Sequence, residues 1–493
     1  MLELQLFLFF LLVCLLILHY LKQLWSIRHY PSGPLLLPGI GGLWRVATGV
    51  SHDTLIKLAK QYGNIYTIWA GPLPLVILSG FQAVKEGLIN HSEASAERLE
   101  TPFLRDALKN RGFVFANGHS LKQQRRFGLI TLRKLGLGKK GMEQQIEVEA
   151  QQLVETLEHA KGQPLDPSLP ITNSVCNVIS VLAFGQRFSL EDEDFQKLVK
   201  AIYVLSKFGA TFFQILYDAV PWLMKYLPGP HKKAFSCVEM ARSFAKKEIE
   251  RHKENQTLHE PQDFIDFYLV QMQKAENDPD SAYNDDNLAQ CTIDLFAAGT
   301  ETTATSLKWA LLLMVTHQEI QDKVHKEIED VFGSSRLICY QDRKKLPYIS
   351  AVIHEIQRFK YIFFYGLARQ TTKDVNMCGV HIPKGTIIVP DLRSVLLDSE
   401  HWETPEEFNP NHFLDKDGEF VAREEFLAFG AGARACIGEQ LARIELFIFF
   451  TSLMRAFTFQ LPAGVKELRQ DPVMGIVTPP QPYKLCAIPQ CTI

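Results

Sequence analysis

The sequence predicts a mainly α chain with small β-sheets, an α+β fold preceded by one N-terminal transmembrane helix. Three observations carry that expectation. Apolar residues recur at helical spacing over long stretches, as at Ile146, Ala150, Leu153, Val154 and Leu157. Strand-like runs are short and confined to residues 66–78 and 371–389. Residues 4–21 are almost wholly apolar. The 493 residues carry no Pro/Gly/Ser-rich or charge-run linker after residue 40, which favours one large domain, 46–493, over several. A net charge of -3 argues against nucleic acid as the main partner. Nine cysteines without close pairs fit a reducing compartment rather than a disulfide framework.

Only Gln5, His19 and Tyr20 interrupt residues 4–21, and 18 helical residues rise roughly 27 Å, enough for a thin bilayer. A cleaved signal peptide would want a basic start and a small-residue cleavage site. Here Glu3 precedes the run, and Lys22, Trp25 and Arg28 follow it. Residues 1–22 therefore read as a retained signal-anchor, with the basic flank and the body of the chain on the cytosolic side. A buried core helix is the rival, weakened by the lack of a periodic polar face. Residues 23–45 form a hinge, marked by Pro31, Gly33 and Pro34, then by Pro38, Gly39, Gly41 and Gly42.

Tyr66 to Ala70 and Pro74 to Leu78 read as strands around the Gly71-Pro72 turn. Residues 101–118 lack periodicity and read as an irregular loop bearing Phe103, Phe113 and Phe115. Leu121 to Phe127 opens a helix whose Arg126, Arg133 and Lys134 continue to Lys139 and Lys140, either a solvated face or a steering surface. Aromatic residues crowd 203–230, among them Phe208, Phe212, Trp222 and Tyr226, and read either as core helix or as a segment dipping into lipid. Asp285 or Asp286 is expected to cap a long helix running to about His317. Within it, Ala298 and Thr302 share a face, and Gly299 marks either a packing notch or a groove for a ligand. Glu355 and Arg358 can pair at three-residue spacing. Ile362, Phe363, Phe364 and Tyr365 suit the wall of an apolar cavity, and a turn carries Ile476 and Val477.

The most informative stretch is Phe429-Gly430-Ala-Gly432-Ala-Arg434-Ala-Cys436-Ile-Gly438. Ile437, Leu441, Ile444 and Ile448 follow at helical spacing, so Cys436 lies at the amino end of a helix, where amides and the helix dipole stabilise a thiolate. A lone cysteine is usually a small buried hydrophobe. In a Gly-rich, Arg-bearing loop opening a helix it reads better as an axial thiolate ligand to haem iron, with Phe429 beside the flat partner and Arg434 at its anionic edge. Gly430, Gly432 and Gly438 would keep side chains away from the sulfur.

This string resembles the haem-binding loop of the cytochrome P450 family, and the likeness extends from the hinge near residue 31 to Pro489. The order of the other motifs resembles the vertebrate microsomal family 2 of drug- and fatty-acid-oxidising enzymes, closest in wording to members that epoxidise arachidonate. The resemblance implies the fold of that family, with a long central helix over a haem b. It assigns Arg125 to a haem propionate and sets Arg98 and Arg369 where relatives place further propionate partners, against a reading as ordinary surface arginines. Leu121 stands where a tryptophan is typical, and Ser32 where a proline is usual. Ala298, Thr302 and Glu301 would border the oxygen site, with Thr302 and Glu301 relaying protons. The substrate pocket implied comprises Phe103, Phe113, Phe115, Phe208, Ala298, Thr302, Phe363, Phe364, Ile476 and Val477. Glu355, Arg358 and His412 would form a structural lock. The resemblance further implies a monooxygenase of the endoplasmic reticulum membrane, fed by NADPH-cytochrome P450 reductase, with cytochrome b5 as a second donor, and using dioxygen on a small lipophilic substrate. Two rivals are a haem-thiolate isomerase or dehydratase of peroxides and a non-catalytic haem sensor or carrier. Retention of Thr302 and Glu301 argues against the first, and against the second argue the basic face and the lid over an apolar channel that the resemblance makes of residues 203–230.

Overall fold

The computed structural model describes residues 2–34, 52–70, 73–135, 140–189, 191–209, 211–255, 260–333, 338–363 and 365–490. The second half of the hinge, the Gly71-Pro72 turn, Lys139 and Phe364 lie outside them. The chain forms two compact units, each assembled from separated segments: Met1–Leu99, Tyr365–Trp402 and Glu424–Ala435 in the first, and Glu100–Phe364, Glu403–Arg423 and Cys436–Ile493 in the second.

The first unit holds a five-stranded sheet in the order Ile65–Ala70, Leu73–Ser79, Ile387–Asp391, Arg369–Gln370, Glu97–Arg98. Leu75 to Ser79 run parallel to Ile387 to Asp391, and every other pairing is antiparallel. β-branched residues recur along Ile65–Ala70, Leu73–Ser79 and Ile387–Asp391, the aromatics Tyr66 and Trp69 lie on the edge strand, and Tyr66, Val76, Leu78 and Ile388 are fully buried. At the amino end, Leu2–Ile27 is helical, and Leu4, Phe7, Phe10, Leu18 and Trp25 on it are exposed. Among the described residues no single helix is long and apolar enough to cross a membrane, although the bent pair Glu193–Phe208 and Phe212–Ala219 meets the test by length and composition.

The second unit is mostly helical. Its longest helix, Asp285–Thr316, is buried along most of its 32 residues. The cap is Asn284, whose side chain accepts from the Asn287 N–H, rather than either expected aspartate. Asp285 and Asp286 lie in the first turn, where the dipole favours them, and pair with Lys253 and with Arg111 and Lys246 respectively. Gly299 faces the helix Ser168–Phe184, and a Cβ there would stand 2.6 Å from Ile179 Cδ1, so this glycine is a packing notch. The stretch 101–118 is not wholly irregular: Pro102–Leu108 is helical, capped by Thr101 with Pro102 in its first turn, and ends at Lys109 with φ 54°. Phe103 and Ala107, four residues apart, bury its inner face.

Candidate active site

Cys436 opens the last segment of the second unit, just before the helix Glu439–Ala456 capped by Gly438. Buried Leu441, Ile444 and Ile448 fix that helix in the core. The Cys436 side chain is exposed, yet enough protein surrounds it that burial pushes its thiol above the ordinary range. The Glu439 carboxylate adds to that shift, whereas the amides of Gly438 and Glu439 and the guanidinium of Arg125 act in the opposite sense, favouring the anion. Arg125, half-buried on the helix Gly118–Lys134, is itself shifted down by burial and up by the sulfur. A solvent-reached sulfur with two amides and a cation turned towards it suits a thiolate that binds a soft metal.

The central helix is open at one place. Ala298 is exposed and Glu301 and Thr302 are half-buried, whereas residues on either side of this turn are buried. Thr302 Oγ1 donates to Ala298 O at 2.6 Å, which parks the hydroxyl against the helix backbone. Burial pushes the Glu301 carboxyl up, with Lys308 and Lys207 pulling it back.

In the first unit, the loop before Cys436 is shaped by two left-handed glycines, Gly430 (φ 70°) and Gly432 (φ 69°). A Cβ on Gly432 would collide with Leu88 O, so close backbone approach requires a glycine there. Gly438 lies near the sulfur at ordinary contact distance, 3.9 Å from the position of its missing Cβ. Ala433 N–H donates to Ser92 Oγ at 2.7 Å, and Arg434 Nε donates to Ala96 O at 2.6 Å. Arg98 and Arg369 lie opposite each other across paired strands, and Arg98 Nη1 donates to Leu367 O. Arg98, Arg369 and Arg434 are all buried, which overturns the reading of the first two as surface arginines. Three buried guanidinium groups in one neighbourhood suit an anionic partner. Phe429 is half-buried.

Glu355 and Arg358 form a fully buried two-point pair at 2.6 and 2.7 Å. Arg358 also donates to Pro405 O and Glu407 O, and Glu355 accepts from Asn409 N. His412 Nε2 accepts the Thr404 N–H, which leaves Nδ1–H to donate to Glu355 at 3.2 Å. The three residues meet, and what they clamp is the loop 404–409.

The expected pocket residues separate into groups. Phe103 and Phe208 pack ring to ring at 4.9 Å in a cluster with Tyr217 and Met224. Phe113 belongs to the main core, against Phe264 and over the missing Cβ of Gly128. Phe115 is half-buried. Phe363 bridges to Val477, Thr478 N donates to Ile362 O, and Ile476 N donates to Ser206 O, so the C-terminal turn is tied to both segments. Trp309 Nε1 joins it to the central helix through Thr478 O at 2.9 Å. Sequence reasoning missed several buried carboxyls, among them one on the central helix and one on the helix after Cys436. Asp294 accepts from the amides of Phe113 and Val114, and Glu445 accepts from Thr303. Each interrupts an apolar run, and that interruption was the available signal.

A long buried helix with one open turn, and a cysteine held at a helix mouth, suit a haem-thiolate protein. The chain belongs to the cytochrome P450 family, whose sequence model, Cytochrome P450, matches residues 31–487. Within that family it is similar to Cytochrome P450 2J2 of Homo sapiens, 42% identical over 463 residues covering 94% of this chain and 92% of that one. Cytochrome P450 2J5 of Mus musculus is 41% identical over 466 residues, covering 94% and 92%. Cytochrome P450 2A13 of Homo sapiens is 39% identical over 485 residues, covering 97% and 98%. Membership makes the chain a monooxygenase with a cysteine-ligated haem iron, acting on lipophilic substrates.

Proposed function

We propose that this chain is a microsomal monooxygenase that hydroxylates or epoxidises polyunsaturated fatty acids, steroids or foreign lipophilic compounds, with electrons from NADPH through a flavoprotein reductase. The carrying observation is the exposed Cys436 sulfur, set before a helix with amides and Arg125 turned towards it. When bound, haem b supplies the redox centre at which dioxygen is activated. Cys436 would hold its iron, and Arg125, Arg434, Arg98 and Arg369 its propionates. Phe429, Gly430, Gly432 and Gly438 shape the loop that receives it, and Ala298 leaves room at the open turn of the central helix. Thr302 would leave its bond to Ala298 O to donate a proton, and Glu301, its carboxyl raised by burial, would resupply it. Phe103, Phe115, Phe208, Phe363, Phe364, Ile476 and Val477 would exclude water around an apolar substrate, with Phe113 behind them.

The exposed cations Arg126, Arg133 and Lys134 suit an acidic donor such as the reductase or cytochrome b5. Anchoring to the endoplasmic reticulum is supported by the apolar run 4–21 and its exposed side chains. The hinge would follow, with the remainder acting as one catalytic domain. Two experiments test the reading. The reduced carbon monoxide difference spectrum should show a thiolate-ligated haem that Cys436→Ser abolishes, and a Cys436→Ser protein with the parent's spectrum would defeat the assignment. Product profiling with arachidonate, a steroid panel and lipophilic drugs in the presence of purified reductase identifies the substrate class.

A further inference from the structure

The helix that follows Cys436 carries a carboxyl that the proposed chemistry leaves without a role. Glu445 is 1% exposed between Ile444 and Leu446, and it meets the central helix at Thr303, 2% exposed, whose Oγ1 donates to Glu445 Oε2 at 3.0 Å. Its other oxygen, Oε1, has no hydrogen-bond partner among the described residues. An apolar side chain of similar shape would join these helices at lower cost, so stability does not account for the carboxyl.

The helical register shows what the contact constrains. Gly299 and Thr303 lie four residues apart on one face, where Gly299 admits Ile179 and Thr303 engages Glu445. Ala298 and Thr302, also four apart, form the open face about 100° round the helix. The notch against Ile179 is a steric contact without a bond of fixed direction. The Thr303–Glu445 bond is directional.

We propose that Glu445 is a positioning residue: through Thr303 it sets the rotation of the central helix at its open turn and so couples the Cys436 helix to the aim of the Thr302 hydroxyl. The inference rests on the reading of Cys436 as iron ligand and Thr302 as proton donor. Burial pushes the Glu445 carboxyl to about 8, so it is protonated at neutral pH and adds no charge there.

The test uses the full-length, haem-loaded chain with Thr303→Val, Glu445→Leu and Glu445→Gln. Four quantities are read: the carbon monoxide difference spectrum, the melting temperature, the C–O stretching band of bound carbon monoxide, and the fraction of NADPH ending as hydrogen peroxide during turnover of arachidonate with reductase. Thr303→Val and Glu445→Leu should keep the thiolate spectrum, shift or broaden the C–O band, and raise the peroxide fraction about threefold or more. Glu445→Gln still accepts from Thr303 and should match the parent. An unchanged C–O band and peroxide fraction in Thr303→Val, with the thiolate spectrum intact, would overturn the inference, as would a Glu445→Gln protein as uncoupled as Glu445→Leu. If Glu445→Leu does not fold, Thr303→Val decides. A parent chain without a thiolate spectrum would instead bring down the underlying reading and the inference with it.

Discussion

Glu355 and Arg358 illustrate how much rests on single side chains. Glu355→Ala would strip a fully buried guanidinium of its carboxylate partner, a loss of about 3–5 kcal/mol. We expect little folded, haem-loaded protein from that variant, measured as the yield of the thiolate spectrum. Thr302→Ala should keep the spectrum but divert NADPH to peroxide, whereas normal coupling would count against a role in proton delivery. Glu445 gives a pH signature. Its folded value of about 8 lies above the ordinary 4.5, so from roughly pH 5 to 8 the folded chain holds a proton that the unfolded chain releases. Its contribution is therefore complete below pH 4.5 and is lost as pH rises through 8, at about 1.4 kcal/mol per unit in that window. Glu445→Gln should flatten this slope in denaturation series. The Glu355–Arg358 pair was legible because three-residue spacing places both on one helix face. Their partners Pro405 O, Glu407 O and Asn409 N were not, because backbone atoms leave no mark in side-chain identity.

Helix faces carry the next set of outcomes. Gly299→Val should destabilise the chain by about 1–3 kcal/mol through collision with Ile179, and Ile179→Ala should relieve part of that cost. A shift in melting temperature no larger than that of a surface control would show that the notch has slack. The aromatic stretch 203–230 divides by face: Phe208, Tyr217 and Met224 are buried, while Phe212, Trp222 and Tyr226 are exposed at 69%, 70% and 87%. The core reading thus holds for the first three residues, while the exposed face keeps the rings that a lipid contact would use. Trp222→Ser with Tyr226→Ser should weaken binding of the chain to phospholipid vesicles without lowering its melting temperature. Helix existence was legible from apolar spacing, as for Lys140–Glu158, but ends were less so. Asn284 outcompeted two neighbouring aspartates as cap, and a Thr101-Pro102 start was hidden by the irregular residues after it.

At the level of the whole chain, helical dominance and the short strands follow from the sequence pattern, whereas the division into two units does not, because periodicity reports only local neighbours. Deleting residues 2–27 should leave the thiolate spectrum intact while reducing recovery in the membrane fraction, and loss of the spectrum would give that helix a part in folding. The strand Leu73–Ser79 has its parallel partner some 310 residues downstream, at Ile387–Asp391. At 5–20 residues per second a ribosome takes roughly 15–60 s to deliver it, during which an apolar sheet edge waits uncovered. A nascent chain of this design needs chaperone cover for most of its synthesis, and a message truncated before residue 387 would yield no completed first unit at all.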